Sequence, residues 1–330
     1  MWRAFTARRI AAAAAYGGGG ITALGGITFG LVVVEARLAR KIIQATPNGD
    51  PPVADGLYGG TLGGSPLSLV MIGDSTAAGL GVHDPEETPA ALLAAGLSAI
   101  ADRPVRLTNV ARPGSRSHAL PEQVGQALQV RPDLAVIMIG ANDVTGRVPA
   151  AESVRHLADA VGRLRAHGCH VVVGTCPDLG SVKPLMQPLK WIARRASRQL
   201  AAAQTIAVVE RGGRSVSLGD LLGREFAADP RTMFSEDRYH PSARGYAAAS
   251  AAILPSMAHA LDLEPDMPDP LLGEGVLPVY LAAAEAAEVS GTEVSGATVA
   301  GRDRGPRGRW ATLLHRRSVP DLPTITPNAT

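Results

Sequence analysis

Apolar and polar positions divide the chain into an uncharged opening run, an alternating middle and a mixed tail. Residues 10–34 carry no charge, and Arg3, Arg8 and Arg9 precede them while Glu35, Arg37, Arg40 and Lys41 follow. As a helix those 25 residues would reach about 37 Å, against roughly 30 Å of bilayer hydrocarbon. The run is longer than the apolar core of a signal peptide, and no small-x-small cleavage site follows it directly. Its seven glycines weaken it as a water-soluble helix, and it has no polar face. Residues 1–45 are therefore expected to be an apolar N-terminal helix. It anchors the chain at the cell membrane in a single pass, with the following domain extracytoplasmic. Secretion after cleavage is the alternative. The nearly balanced flanking charges specify orientation weakly.

Residues 46–66 are rich in Pro and Gly and read as a linker. From residue 67 short apolar runs alternate with helical periodicity. Strands are expected at 67–72, 105–111, 133–140, 170–175 and 205–210. Helices are expected near 87–101, 117–130, 149–167, 187–204 and 242–261. In 149–167 the apolar positions Val154, Leu157, Ala158, Val161 and Leu164 recur at helical spacing. Strands apolar on both faces, alternating with helices, predict a parallel sheet covered on both sides. Five such strands over 67–262 suit a flavodoxin-like, doubly wound α/β domain, in which function gathers at the carboxyl ends of the strands. Residues 263–330 have the composition of a largely disordered tail, with one possible helix at 278–289.

Composition narrows the class. At 46% hydrophobic and 19% charged the chain can bury a sizeable core, and at 4% aromatic that core is aliphatic. A net charge of +2, with no long basic block, argues against nucleic acid as a partner. The two cysteines, Cys169 and Cys176, flank the fourth expected strand. Extended chain would hold them about 23 Å apart, far beyond disulfide reach.

Four strand ends and loops carry polar residues that a purely structural connection does not need. They are GDSTAAG (73–79), NVARPGS (109–115), GAND (140–143) and DRYHP (237–241). A serine hydroxyl is a poor nucleophile without an adjacent base, and histidine is the side chain best suited to that work at neutral pH. The base needs a carboxylate to fix its tautomer. Asp237 stands three residues before His240, so one tight turn joins them, and Pro241 suits the first turn of the closing helix. An oxyanion needs preorganised donors, each lowering the barrier by roughly 3–4 kcal/mol. The Ser75 and Gly114 backbone N–H groups and the Asn142 side-chain amide are the candidates. Asp74 and Asp143 read as braces of their loops.

Together these blocks resemble the SGNH, or GDSL-type, hydrolase superfamily. Ser75, Gly114, Asn142 and His240 occur in the family's order, over about residues 67–262. The resemblance implies a three-layer α/β/α sandwich with a five-stranded parallel sheet. It implies carboxylic ester hydrolysis, as an esterase or lipase, with no metal and no cofactor. Ser75 would be the nucleophile, His240 general base and acid, and Asp237 its orienting carboxylate. Thr76 stands where the family name puts Leu, a departure in the turn rather than in the chemistry. The layout is also similar to the N-terminally anchored, exported esterases of mycobacteria and other actinobacteria.

Other readings are weaker. An α/β-hydrolase elbow requires a glycine two residues after the serine, where Ala77 stands. His167 and His170 beside Cys169 lack further metal ligands. The 17–20 glycine run lacks the Lys-Ser/Thr of a phosphate loop. Helix 187–204 carries Lys190, Arg194, Arg195 and Arg198 near Trp191, which marks either a solvated basic face or a surface for anionic lipid. The expected substrate is an ester of a short to medium acyl group, a lipid or an acylated glycan. An acyltransferase to a sugar or lipid hydroxyl, and a silent envelope-binding protein, remain as alternatives.

Overall fold

The computed structural model describes residues 34–35, 37–38, 49–182, 185–219, 230–263, 275–289, 291–297, 304–305 and 308–315. In chain order these form β1 (Gly56–Tyr58), β2 (Leu67–Gly73), α1 (Ser75–Ala78), α2 (Pro89–Ala101), β3 (Val105–Asn109) and α3 (Leu120–Ala127). There follow β4 (Leu134–Met138), α4 (Ala141–Thr145), α5 (Ala150–Ala166), β5 (His170–Gly174), α6 (Leu189–Glu210), β6 (Arg214–Val216), α7 (Pro230–Met233) and α8 (Ala243–Ala260). The last elements are β7 (Gly275–Pro278), α9 (Val279–Ala286), β8 (Thr292–Ala297), β9 (Arg304–Gly305) and β10 (Gly308–His315).

Five strands run parallel in the order β3-β2-β4-β5-β6, the doubly wound arrangement expected from the sequence. Their alternate residues serve two cores. Leu69, Met71, Val136, Met138 and Val172 face Leu93, Leu97, Ile253 and Met257 of α2 and α8. Val70, Ile72, Ala135, Ile137 and Val173 face Val124, Leu157, Val161 and Val208 of α3, α5 and α6. A strand buried on both sides has no polar alternation, which is why β2 and β4 read as continuous apolar runs. Each such Leu, Ile or Val contributes about 1.5–3 kcal/mol on leaving water.

The expected five-stranded parallel sheet is incomplete in three respects. Residues 205–210 are not a strand but the last turns of α6, and the fifth parallel strand is β6. Gln204, Thr205 and Val208 continue the buried stripe of Ser197, Leu200 and Ala201 at helical spacing, and the helix stops only before Gly212, at φ 78°. Next, the 46–66 linker contains β1, which pairs antiparallel with β3, and Tyr58 Oη donates to Ala54 O at 2.7 Å. Lastly, the tail expected to be largely disordered extends the sheet: β8, β10 and β7 follow β6 antiparallel, with β9 on β10. The sheet is therefore mixed, with nine strands in its main order. The helix expected within 278–289 is present as α9. Among the described residues no helix is long and apolar enough to cross a membrane, and the apolar run at 10–33 lies outside them.

The added strands are bonded to the central core by chemistry as well as by backbone pairing. Glu293 of β8 is fully buried, and its carboxylate accepts from Arg214 Nη1 and from Ser256 Oγ, each at 2.8 Å. Removing one partner of a buried ion pair leaves a charge and a hydroxyl without compensation. Glu293→Ala is expected to lower unfolding stability by about 3 kcal/mol, at the low end for buried pairs because Arg214 keeps some water. Urea denaturation at neutral pH measures it, and a change below about 0.5 kcal/mol would show that the extension is dispensable to the core.

Candidate active site

The carboxyl ends of the parallel strands meet at one rim, and the first polar turn there is built around Gly73. Its φ is 144°, and a Cβ would lie 1.9 Å from Met138 O, so only glycine lets β2 pass β4 this closely. Asp74 caps α1, accepting from Thr76 N at 2.9 Å, and this places Ser75 on the first turn with its side chain over the rim. Gly79, at φ 85°, ends the helix after one turn.

The second turn comes from far along the chain. Ser235 N donates to His240 O at 2.8 Å and Ser242 N to Met233 O at 3.0 Å, closing a loop that ends at the Ser242 cap of α8. Pro241 thus sits before the cap rather than in the helix's first turn. Within the loop Asp237 Oδ1 accepts from Ser235 Oγ (2.7 Å), Tyr239 N (2.8 Å) and His240 N (2.9 Å). Its Oδ2 lies 2.5 Å from His240 Nδ1, and His240 Nε2 lies 3.0 Å from Ser75 Oγ. Asp237, His240 and Ser75 are all buried. Burial alone would raise the Asp237 carboxyl. The hydrogen bonds from His240, Ser235 and Tyr239, with the charge His240 can carry, outweigh it and hold the group well below the usual carboxylate range.

The loop after β3 lies alongside. Arg112 N donates to Gly73 O at 3.1 Å, and Gly114 takes φ 78° in an exposed turn with open space around it. Asn142, on the first turn of α4, donates from Nδ2 to Ser115 O at 3.1 Å. One N–H of that amide thus ties the Gly114 turn to the end of β4, and the other has no bond among the described residues. The sequence-derived residues therefore divide into one hydrogen-bonded chain, Asp237-His240-Ser75, and one tied pair of loops bearing Gly114 and Asn142.

Two buried glutamines that sequence reasoning missed hold these loops in place. Gln123 accepts from Gly73 N at 2.8 Å and donates to Gly73 O (2.9 Å) and Ser115 Oγ (3.2 Å). Gln204 accepts from Cys176 N at 2.8 Å and donates to Ile139 O at 2.9 Å. Each stands within an apolar helical stripe, between Leu120 and Val124 or between Leu200 and Val208, and a polar residue there was the available signal. Asp143 braces its loop as expected, accepting from Ser117 N and from Ser117 Oγ, the latter at 2.9 Å. Among the described residues no three His, Cys, Asp or Glu side chains gather as metal ligands. Both cysteines are buried free thiols, and burial pushes the Cys169 thiol up to about 12.

Beside Ser75 and His240 opens a cavity of about 40 Å³, walled by Met138, Gly174, Leu179, Val182, Leu218 and Ala249. It has room for a few waters or a short aliphatic chain. The Tyr239 ring meets the His240 ring edge-on at 4.8 Å between centroids.

Burial also pushes the Asp74 carboxyl up to about 6, against the opposing Thr76 N–H and the nearby His240. A carboxyl raised in the fold contributes stability below its unfolded value near 4 and loses it as pH rises through about 6. Asp74→Asn keeps an oxygen for the Thr76 N–H and removes this titration. Its stability relative to the parent is therefore expected to improve by up to about 3 kcal/mol between pH 4 and 7, read from melting curves across that range. A flat difference would show that Asp74 is charged at no cost.

Comparisons with known proteins place the chain in a family. Residues 71–248 match the model of the GDSL-like Lipase/Acylhydrolase family. The chain is 43% identical over 251 residues to a GDSL-like esterase of Mycobacterium tuberculosis, covering 72% of this chain and 79% of that protein. An acetylxylan esterase of Geobacillus stearothermophilus aligns with a TM-score of 0.47 at 21% identity, over 59% of this chain and 95% of that one. The solved structure of TesA aligns with a TM-score of 0.45 at 22% identity, over 60% and 99%. With the matched span running from β2 into α8, the chain belongs to the GDSL-like lipase/acylhydrolase family and is a carboxylic ester hydrolase.

Proposed function

We propose that Ser75 is the nucleophile of a two-step ester hydrolysis. The observation that carries this reading is the 3.0 Å contact from His240 Nε2 to Ser75 Oγ, with Asp237 on the opposite ring nitrogen. Ser75 Oγ attacks the ester carbonyl while His240 Nε2 takes its proton. The oxyanion is held by the N–H groups of Ser75 and Gly114 and by the second N–H of Asn142. Collapse expels the alcohol with the proton from His240 and leaves an acyl-Ser75. Water then attacks, again giving its proton to His240, and the acid departs.

The acyl group lies in the cavity beside Ser75, whose 40 Å³, at about 10–15 Å³ per water, takes about three waters or a chain of two to four carbons. The alcohol side faces the open Gly114 turn. The uncharged run at 10–34 anchors the chain in the membrane, with the catalytic domain extracytoplasmic. This part of the reading rests on the sequence alone.

The test is hydrolysis of p-nitrophenyl esters from acetyl to palmitoyl by the full-length chain in mild detergent. The expected optimum lies between acetyl and butyryl, with kcat/KM falling roughly 10-fold or more for each methylene that no longer fits. A palmitoyl optimum would move the acyl chain out of this cavity. Fluorophosphonate labelling of Ser75 without hydrolysis of any ester would point instead to acyl transfer onto an alcohol acceptor.

A further inference from the structure

We propose that the start of α6 and the loop before it form a surface that lies on an anionic lipid bilayer, beside the mouth of the ester site. Met186, Trp191 and Ile192 are 58%, 57% and 41% exposed. Soluble surfaces tolerate single exposed apolar residues, but these three belong to seven consecutive positions and include a tryptophan. Lys190 and Arg195 alternate with them, and Arg195 lies over the Trp191 ring at 5.8 Å. Residues 181–209 contain no Asp or Glu. Arg194 and Arg198 pair with the buried Asp178, and Arg198 also with Glu288, so the positive charge of the patch itself comes from Lys190 and Arg195. Apolar and aromatic side chains interleaved with cations are the composition of a segment that sits at a lipid headgroup boundary.

A second observation places the membrane on this side. Val34, Glu35, Arg37 and Leu38 are helical, and the buried Glu35 carboxylate accepts from Leu189 N at 3.1 Å. Pro188, the residue that caps α6, offers no side-chain bond, so Glu35 supplies the acceptor the first turn lacks. Val34, the last residue of the uncharged run, thereby stands beside the start of α6, and Val34 and Leu38 add further exposed apolar surface; this placement of the membrane rests on the reading of that run as its anchor. The occupant with both an apolar interior and a negative face is the anionic bilayer.

The surface is also joined to the site. Leu179 and Val182 wall the acyl cavity and pack with Leu185 and Ala193, the residues on either side of the patch. Seating the patch on lipid would hold the cavity mouth near esters in the same membrane.

The experiment uses the full-length chain reconstituted into vesicles of brominated lipid, with and without phosphatidylserine. An environment-sensitive fluorophore is placed on Met186→Cys or, as a control, on Gln129→Cys, exposed at the opposite ends of the strands. The native cysteines are buried and do not compete. The Met186 probe is expected to shift to the blue and be quenched several-fold more than the Gln129 probe in anionic vesicles. Lys190→Glu with Arg195→Glu is expected to bring it to the control level while hydrolysis of a soluble acetyl ester continues. A chain that floats with its vesicles while both probes remain in water overturns the docking and leaves the anchor standing. Equal quenching in neutral phosphatidylcholine overturns the anionic assignment. Burial of the probe without vesicles, with a doubled mass, assigns the surface to a second copy of the chain.

Discussion

Ser75→Ala is expected to lower kcat/KM for a short-chain ester by about 10⁵-fold or more, the scale seen when a nucleophile is removed from a hydrogen-bonded triad. The effect should be chemical, because the hydroxyl supports little else. The capping of α1 belongs to Asp74, and the backbone of residue 75 is held through Leu80 N and Gly79 N on its carbonyl. Stability should therefore change by no more than about 0.5 kcal/mol. Fluorophosphonate labelling should vanish with activity, since the reagent needs the same oxygen. The variant keeps the Gly114 and Asn142 donors, so a small residual rate above water is expected. Activity within tenfold of the parent would mean that another group attacks the ester, and the acyl-Ser75 step would be wrong. Loss of both activity and fold would be visible as a collapsed melting transition, and Ser75→Cys, closer in shape, would then separate the two causes.

The parts of this site that were legible in the sequence are those dictated by local chemistry. β2, β4 and β5 are buried on both faces, so they stand out as apolar runs, and the polar turns that follow β2 and β4 stand out in turn. Asp237 and His240 are three residues apart, so their pairing follows from one turn. What could not be read depends on distant partners. The segment 205–210 has the β-branched, apolar character of a strand, yet it continues the buried stripe of α6 without a break. Tertiary burial of Thr205 and Val208 decided between the two, and propensity did not. The tail reads as disordered because Pro, Gly and acidic residues break up its apolar positions. In the fold Val279, Ala282, Ala286, Val294, Ala311 and Leu313 close over Val209 of α6, β8 pairs with β6, and Glu293 reaches Arg214, 79 positions away in the chain. Gln123 and Gln204 act on backbone groups of Gly73, Ile139 and Cys176, none of which is a sequence neighbour.

Asp237→Asn is the sharper test of mechanism, because it alters no shape. In the parent, Oδ2 accepts the Nδ1 proton of His240 at 2.5 Å, which leaves Nε2 as an acceptor facing Ser75. Oδ1 already accepts three donors, from Ser235, Tyr239 and His240, so an amide in this position keeps its oxygen there. Its NH₂ then faces Nδ1, and His240 must turn the acceptor nitrogen toward it. The ring proton moves to Nε2, where it cannot take the proton of Ser75. A fall in kcat of about 10⁴-fold is expected, with KM little changed, because the acyl cavity is untouched. The acid side gives an independent reading. A carboxyl held below its usual range contributes stability that is present above its unfolded value near 4 and is lost as pH falls through its folded value. The parent should therefore lose stability below about pH 4 more steeply than the Asn variant, as read by melting curves under acid. If kcat stays within tenfold of the parent, His240 does not depend on Asp237 for its tautomer. If kcat falls but the acid stability curves coincide, Asp237 steers the imidazole without the depressed titration that its four hydrogen bonds imply.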